Sequence, residues 1–172
     1  MRDYMYGAYK IKTKVNENRK KLPRGEDGKE RVVLITGDTH REFGRIIRFC
    51  REYETNAEDI VILLGDAGIN WYAGYRDETG QQTDRFKFKD EIVKVHLKQI
   101  PITFFCIRGN HDMRPEKIKT YETRIWQEGV VYYEKEYPNL LFAKDGEIFD
   151  QKSRYRGYRS GSCRFKGGCR SR

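Results

Sequence analysis

The stretch RVVLITGDTHREFGRIIRFCREYE, Arg31 to Glu54, decides the fold. Its first seven residues are a continuous apolar, β-branched run closing on Gly37, the mark of a strand buried on both faces. Phe43, Ile46, Ile47, Cys50 and Tyr53 then recur at the spacing of one helical face. Between strand and helix lies only a short polar turn, Gly37-Asp38-Thr39-His40. A buried strand passing at once into an amphipathic helix predicts an α/β protein.

The pattern repeats outward. DIVILLG (59–65) and ITFFCIRG (102–109) are two more buried strands. Between them, residues 85–100 carry helical spacing through Phe88, Ile92, Val95 and Gln99, and Pro101 ends the helix. GVVYY (129–133), NLLFA (139–143) and GEIFD (146–150) read as shorter strands, joined by turns at Pro138-Asn139 and Asp145-Gly146. The prediction is an α/β unit, 31–150, with an appended antiparallel part. Residues 1–30 form a polar extension, with a short alternating strand within MYGAYKIKTKV and a connector at KKLPRGEDGKE. No internal repeat is visible.

The 172 residues carry a net charge of +9. That suggests an acidic partner until the charges are placed. From Gln151 to Arg172 there are eight Lys or Arg and no Asp or Glu, leaving 27 basic and 26 acidic residues elsewhere. The body is nearly neutral, and the charge belongs to the tail. No apolar run approaches a membrane span, and the N-terminus lacks the apolar core of a secretion signal. Cys50 and Cys106 fall at apolar positions of a helix and a strand, as small buried hydrophobes do. A reducing, cytoplasmic setting is the expectation.

Each of the three strong strands ends in Gly followed by a small polar cluster: Gly37-Asp38-Thr39-His40, Gly65-Asp66-Ala67-Gly68 and Gly109-Asn110-His111-Asp112. Loops at the C-terminal ends of strands gather along one edge of an open α/β sheet, where ligands bind. Asp38, His40, Asp66, Asn110 and His111 are therefore expected to converge. Two carboxylates, an imidazole and an amide carbonyl suit a hard-to-borderline divalent cation. Asp66, with two oxygens, is suited to bridge two ions. Singly, each motif has a plainer reading: Asp38 or Thr39 as a helix cap, Asp66-Ala-Gly as a turn, Asn110-His-Asp as an Asx-turn. Occurring together, in order and each directly after a buried strand, they favour a common site.

GDTH, GDAG and GNHD resemble, in sequence, the first three motifs of the calcineurin-like metallophosphoesterases. The resemblance covers about residues 31–150 and implies a layered α/β/β/α sandwich, of which this chain holds the N-terminal half. It implies hydrolysis of phosphate mono- or diesters with two divalent ions, commonly manganese, iron or zinc. Asp38 and His40 then match ligands of the first metal, Asp66 the bridging ligand and Asn110 a ligand of the second. His111 matches the catalytic histidine that assists the leaving oxygen, with Asp112 as its orienting partner.

The sequence departs from the family in three places. Arg41 stands where the family has Gly, and is a candidate phosphate contact. Gly68-Ile69 replaces a segment where many members carry an extra acidic residue. The family's three later histidines are missing, since the chain holds only His40, His96 and His111. His96, in mid-helix and ahead of the third motif, reads as structural or solvent-facing. The second metal keeps only Asp66 and Asn110, so weak occupancy is expected there.

After Asp150 the pattern stops, and 16 of the last 22 residues are Lys, Arg, Gly or Ser. The expectation is a disordered basic tail, 151–172, on a truncated or frame-shifted phosphoesterase. The encoding DNA tests this: another reading frame after about codon 150 should continue into apolar strands and a Gly-His-x-His turn. The expected partner is a phosphate-ester substrate, with weak, non-specific nucleic-acid binding by the tail and no membrane. A non-catalytic, regulatory remnant is the competing reading. The loop from Ile69 to Thr83, rich in Trp, Tyr and Arg, is the expected substrate contact.

Overall fold

Three apolar runs pair in parallel at the centre of the protein. The computed structural model describes residues 19–22, 31–71, 84–151 and 163–166. Strand β1 (Val33–Gly37), helix α1 (Gly44–Glu52), β2 (Ile60–Leu64), α2 (Asp84–Lys98) and β3 (Thr103–Ile107) follow in order. A short 3-10 turn (Pro115–Lys117) precedes β4 (Glu122–Trp126), β5 (Gly129–Glu134), β6 (Tyr137–Ala143), β7 (Ile148–Gln151) and β8 (Cys163–Lys166).

Six strands make one sheet in the order β1-β2-β3-β6-β5-β4, and β7 and β8 pair separately. The first four of these run parallel, with Gly37 opposite Leu64 and Leu64 opposite Ile107. The β1–β2 and β2–β3 crossovers each carry a helix, and both helices lie on the same face. There Phe43, Ile46 and Cys50 of the α1 region and Leu97 and Ile100 of the α2 region pack on Val61, Leu63, Phe104 and Phe142. On the opposite face Ile60, Ile62, Phe105 and Leu141 pack under Phe149 of β7. Phe149 is fully buried, its ring edge-on to Phe105 at 4.7 Å. The result is the expected layered α/β arrangement: helices, a large sheet, and a small second sheet. That second face thins toward the strand C-termini, where Ile35 and Leu64 stay about half exposed.

Four details correct the sequence reading. Strand β4 went unread, because its hairpin turns at Gln127-Glu128, both in the left-handed region, without the Asn-Gly or Asp-Gly signal. Pro138 and Asn139 lie inside β6 instead of in a turn. The Asn139 amide donates to Leu97 O at 3.0 Å and so ties β6 to the end of α2. Helix α2 has the reverse of the expected face: Ile92 and Val95 are exposed, while Asp90, Lys94 and Leu97 are buried. Periodicity ranks residues by apolarity and is blind to charges that meet partners. Lys94 reaches Glu134 of β5 at 2.5 Å, and Asp90 meets Arg41. Finally, the tail is not wholly without structure, because Cys163–Lys166 pairs antiparallel with β7.

Lys20 makes a parallel bridge to Tyr53 at the end of α1. The strand expected within residues 5–15, most of the connector and most of the substrate loop lie outside the described residues, as does most of the tail.

Candidate metal centre

The parallel strands deliver the three motifs to one edge, and backbone hydrogen bonds lock the motif loops together. Asp38 N donates to Gly65 O at 3.1 Å, His40 N to Asp66 O at 3.0 Å and Arg41 N to Ala67 O at 3.2 Å. The first loop is thus zipped onto the second. Gly65 N donates to Ile107 O at 2.9 Å, bringing in the third strand. The third loop closes the set when His111 N donates to Asp66 Oδ1 at 2.9 Å.

Asp38, His40, Arg41 and Asp66 all take positive φ, between 44° and 73°. For residues with a Cβ this conformation costs roughly 1 kcal/mol each. Such strain persists only where surrounding structure over-determines it, and it clusters at functional sites. Gly109 is required for a different reason. A Cβ there would stand 2.1 Å from Asp66 Oδ1 and 2.3 Å from Asp66 N. Only glycine lets the third loop come this close.

The outcome is a group of donors. One ligand atom each from Asp38, His40 and Asp66 lies within 4.8 Å of the others. Two carboxylates and an imidazole at that separation fit one divalent cation. His40 Nε2 stands 2.5 Å from Asp38 Oδ1, with both side chains accessible from solvent. The His111 ring lies 6.1 Å from that of His40.

The family model for calcineurin-like phosphoesterases matches residues 31–162. The chain belongs to that family. Among curated proteins and solved structures no match is found.

Within this phosphoesterase fold, most of the expected site residues meet at the edge. Asp38, His40 and Asp66 form the donor group. Asn110 and His111 are exposed on the loop that Asp66 anchors. Asp112 serves otherwise than expected. Its buried carboxylate accepts from Gly109 N at 3.0 Å and Gly68 N at 3.4 Å, so it staples the third loop to the second.

Arg41 also departs from its expected role as a phosphate contact. Its guanidinium is 4% exposed, paired with Asp90 of α2, and its Nε donates to Gly68 O at 2.8 Å. The plain helix-cap reading of the first motif does not hold either. Helix α1 starts behind Phe43 with no side-chain cap, and the Thr39 hydroxyl donates instead to Ala67 O at 3.2 Å. His96 sits half-buried in the last turn of α2, apart from the donor group.

Asp90 escaped sequence reasoning, and Trp71 was read only as part of the 69–83 loop expected to contact substrate. Trp71 packs edge-on against His40 at 5.1 Å and lies 6.4 Å from His111. Asp90 holds Arg41 from the far side. Asp90 stands off the helix face that apolar periodicity marks as buried, so the sequence carried no signal for it.

Proposed function

We propose that this chain is a metal-dependent phosphoesterase that hydrolyses phosphate mono- or diesters at the edge formed by its three motif loops. The observation carrying this reading is the donor group of Asp38, His40 and Asp66, held by strained loops beside an exposed histidine.

Asp38, His40 and Asp66 would hold a first ion, and Asp66 with Asn110 would offer an incomplete second position. Manganese, iron and zinc all suit these donors. Bound divalent ions supply charge neutralisation at the phosphoryl oxygens and an acidified water. The chain's own residues do the rest. Asp66 keeps the third loop at bonding distance, so that His111 faces the same space as His40. From there the His111 imidazole donates a proton or hydrogen bond to the departing oxygen. Asp112 holds the loop's shape by taking two backbone N–H groups.

A non-catalytic, regulatory domain with weak metal binding is the second reading. It is favoured by a specific fact, that the described donor group has three members where tight binding commonly takes four. Release of nitrophenol from mono- and bis-nitrophenyl phosphate in manganese separates the two. The enzyme reading expects turnover that a chelator and Asp66→Ala both abolish. Calorimetric manganese binding without turnover leaves the non-catalytic reading standing.

A further inference from the structure

We infer that Trp71 is a positioning residue that holds the His40 and His111 rings at their mutual spacing, backed by the Arg41–Asp90 pair from helix α2. The inference rests on the reading of His40 and His111 as site residues.

Trp71 touches everything such a role needs. Its ring lies edge-on to His40 at 5.1 Å, an interplanar angle of 67°, and tilted to His111 at 6.4 Å. The two histidine rings are themselves 6.1 Å apart. The three rings form a triangle with no side longer than 6.4 Å. Two of its corners come from different motif loops, and the third belongs to neither.

The indole is fixed from two sides. At its root, the preceding residue Asn70 is fully buried; its carbonyl accepts from Met113 N at 2.9 Å and its amide donates to the Tyr121 hydroxyl at 2.8 Å. At its face, the Arg41 guanidinium lies 5.1 Å from the ring centroid. A cation over an indole is worth on the order of 1 kcal/mol or more when desolvated. The Arg41 and Asp90 side chains are each only 4% exposed, so moving this cation away breaks a buried ion pair.

The backbone shows that Arg41 is built in. It takes a left-handed φ of 73° directly after His40. Its Cγ fills the place where a Cβ on Gly68 would stand, at 2.6 Å. The Arg41 side chain is routed across Gly68 to reach both Trp71 and Asp90. Helix α2 is thereby joined to the two histidines through one aromatic ring. A ring packed against both imidazoles limits how they turn, which is what a positioning residue does.

The test reads histidine geometry directly and without metal. The chain has three histidines, so ring signals of isotopically labelled protein are assignable, and His96 serves as the internal control. A proton Overhauser contact between the His40 and His111 rings is expected in the metal-free wild type. It should persist in Trp71→Phe and vanish in Trp71→Ala, with the His96 signal unmoved. Trp71→Leu, which fills more of the space, should lose the contact too and stands in if the alanine variant does not fold. Persistence of the contact in either Trp71→Ala or Trp71→Leu overturns the inference. In the Trp126→Phe background Trp71 is the sole tryptophan, so manganese quenching of its emission reports ion binding beside it. Trp71→Ala should weaken manganese binding by calorimetry about tenfold, with Trp71→Phe near wild type. Equal affinity in wild type and Trp71→Ala also overturns it. If the wild type binds no manganese, the proposed function fails, and the ring contact alone decides the role of Trp71.

Discussion

The backbone N–H of His111 donates to Asp66 Oδ1 at 2.9 Å, so one side chain both joins the donor group and latches the loop that carries the exposed histidine. Asp66→Ala removes both functions, whereas Asp66→Asn keeps an acceptor oxygen and removes the charge. Both variants should lose manganese binding in calorimetry. Only Asp66→Ala should also lose stability, by about 1 kcal/mol for the unmade hydrogen bond. Equal unfolding midpoints for the two would disprove the latch.

The Arg41–Asp90 pair is buried at both ends. Asp90→Ala leaves a desolvated guanidinium with its carboxylate gone, which costs about 3–5 kcal/mol. Urea unfolding measures it. Replacing both members, as Arg41→Met with Asp90→Leu, should recover much of that loss while leaving Trp71 without its cation.

Burial holds the Cys106 thiol well above its ordinary value of 9.0, with Asp112 adding to the effect. The folded chain therefore keeps the proton after the unfolded chain has lost it. Below pH 9 this difference is fully present as stability; as pH rises beyond it, ionisation favours the unfolded state. Between pH 9 and 10 the unfolding free energy should fall by roughly 1 kcal/mol from this group. Cys106→Ala should flatten that part of the profile. An unchanged slope in the variant would assign the effect elsewhere.

Phe149 carries the contact between the small second sheet and the large one, with no exposed surface and rings of Phe105 and Trp126 against it. Phe149→Ala should cost about 3–5 kcal/mol. Trp126 emission should shift to the red as its cover is lost. Gly129→Ala tests the same contact from below, since its Cβ would stand 2.6 Å from the Phe149 ring.

The parallel strands and α1 were legible because burial on both faces leaves an unbroken apolar run and one helix face leaves a clear period. The motif loops were legible because strand ends sort polar residues to one edge. What escaped was set by pairing across distance. The charged stripe of α2 is buried because Arg41 and Glu134 wait for it, 49 and 40 residues away in the chain. The Gln127-Glu128 turn has no residue that announces it. Arg41 and Asp112 look like chemistry in sequence because they stand inside the motifs. Their partners, Asp90, Gly68 and Gly109, tie them into the loops.

Three backbone hydrogen bonds join the first motif loop to the second, continuing the pairing that sets Gly37 opposite Leu64. The distance between His40 and Asp66 is therefore inherited from how two strands are aligned, and side-chain choice only exploits it. A one-residue insertion in either loop would break the alignment and displace donors on both. Substitutions at the edge change the donors themselves, while the number of residues between strand and helix sets where they stand. In a protein of this design, chemistry is free to drift and loop length is not.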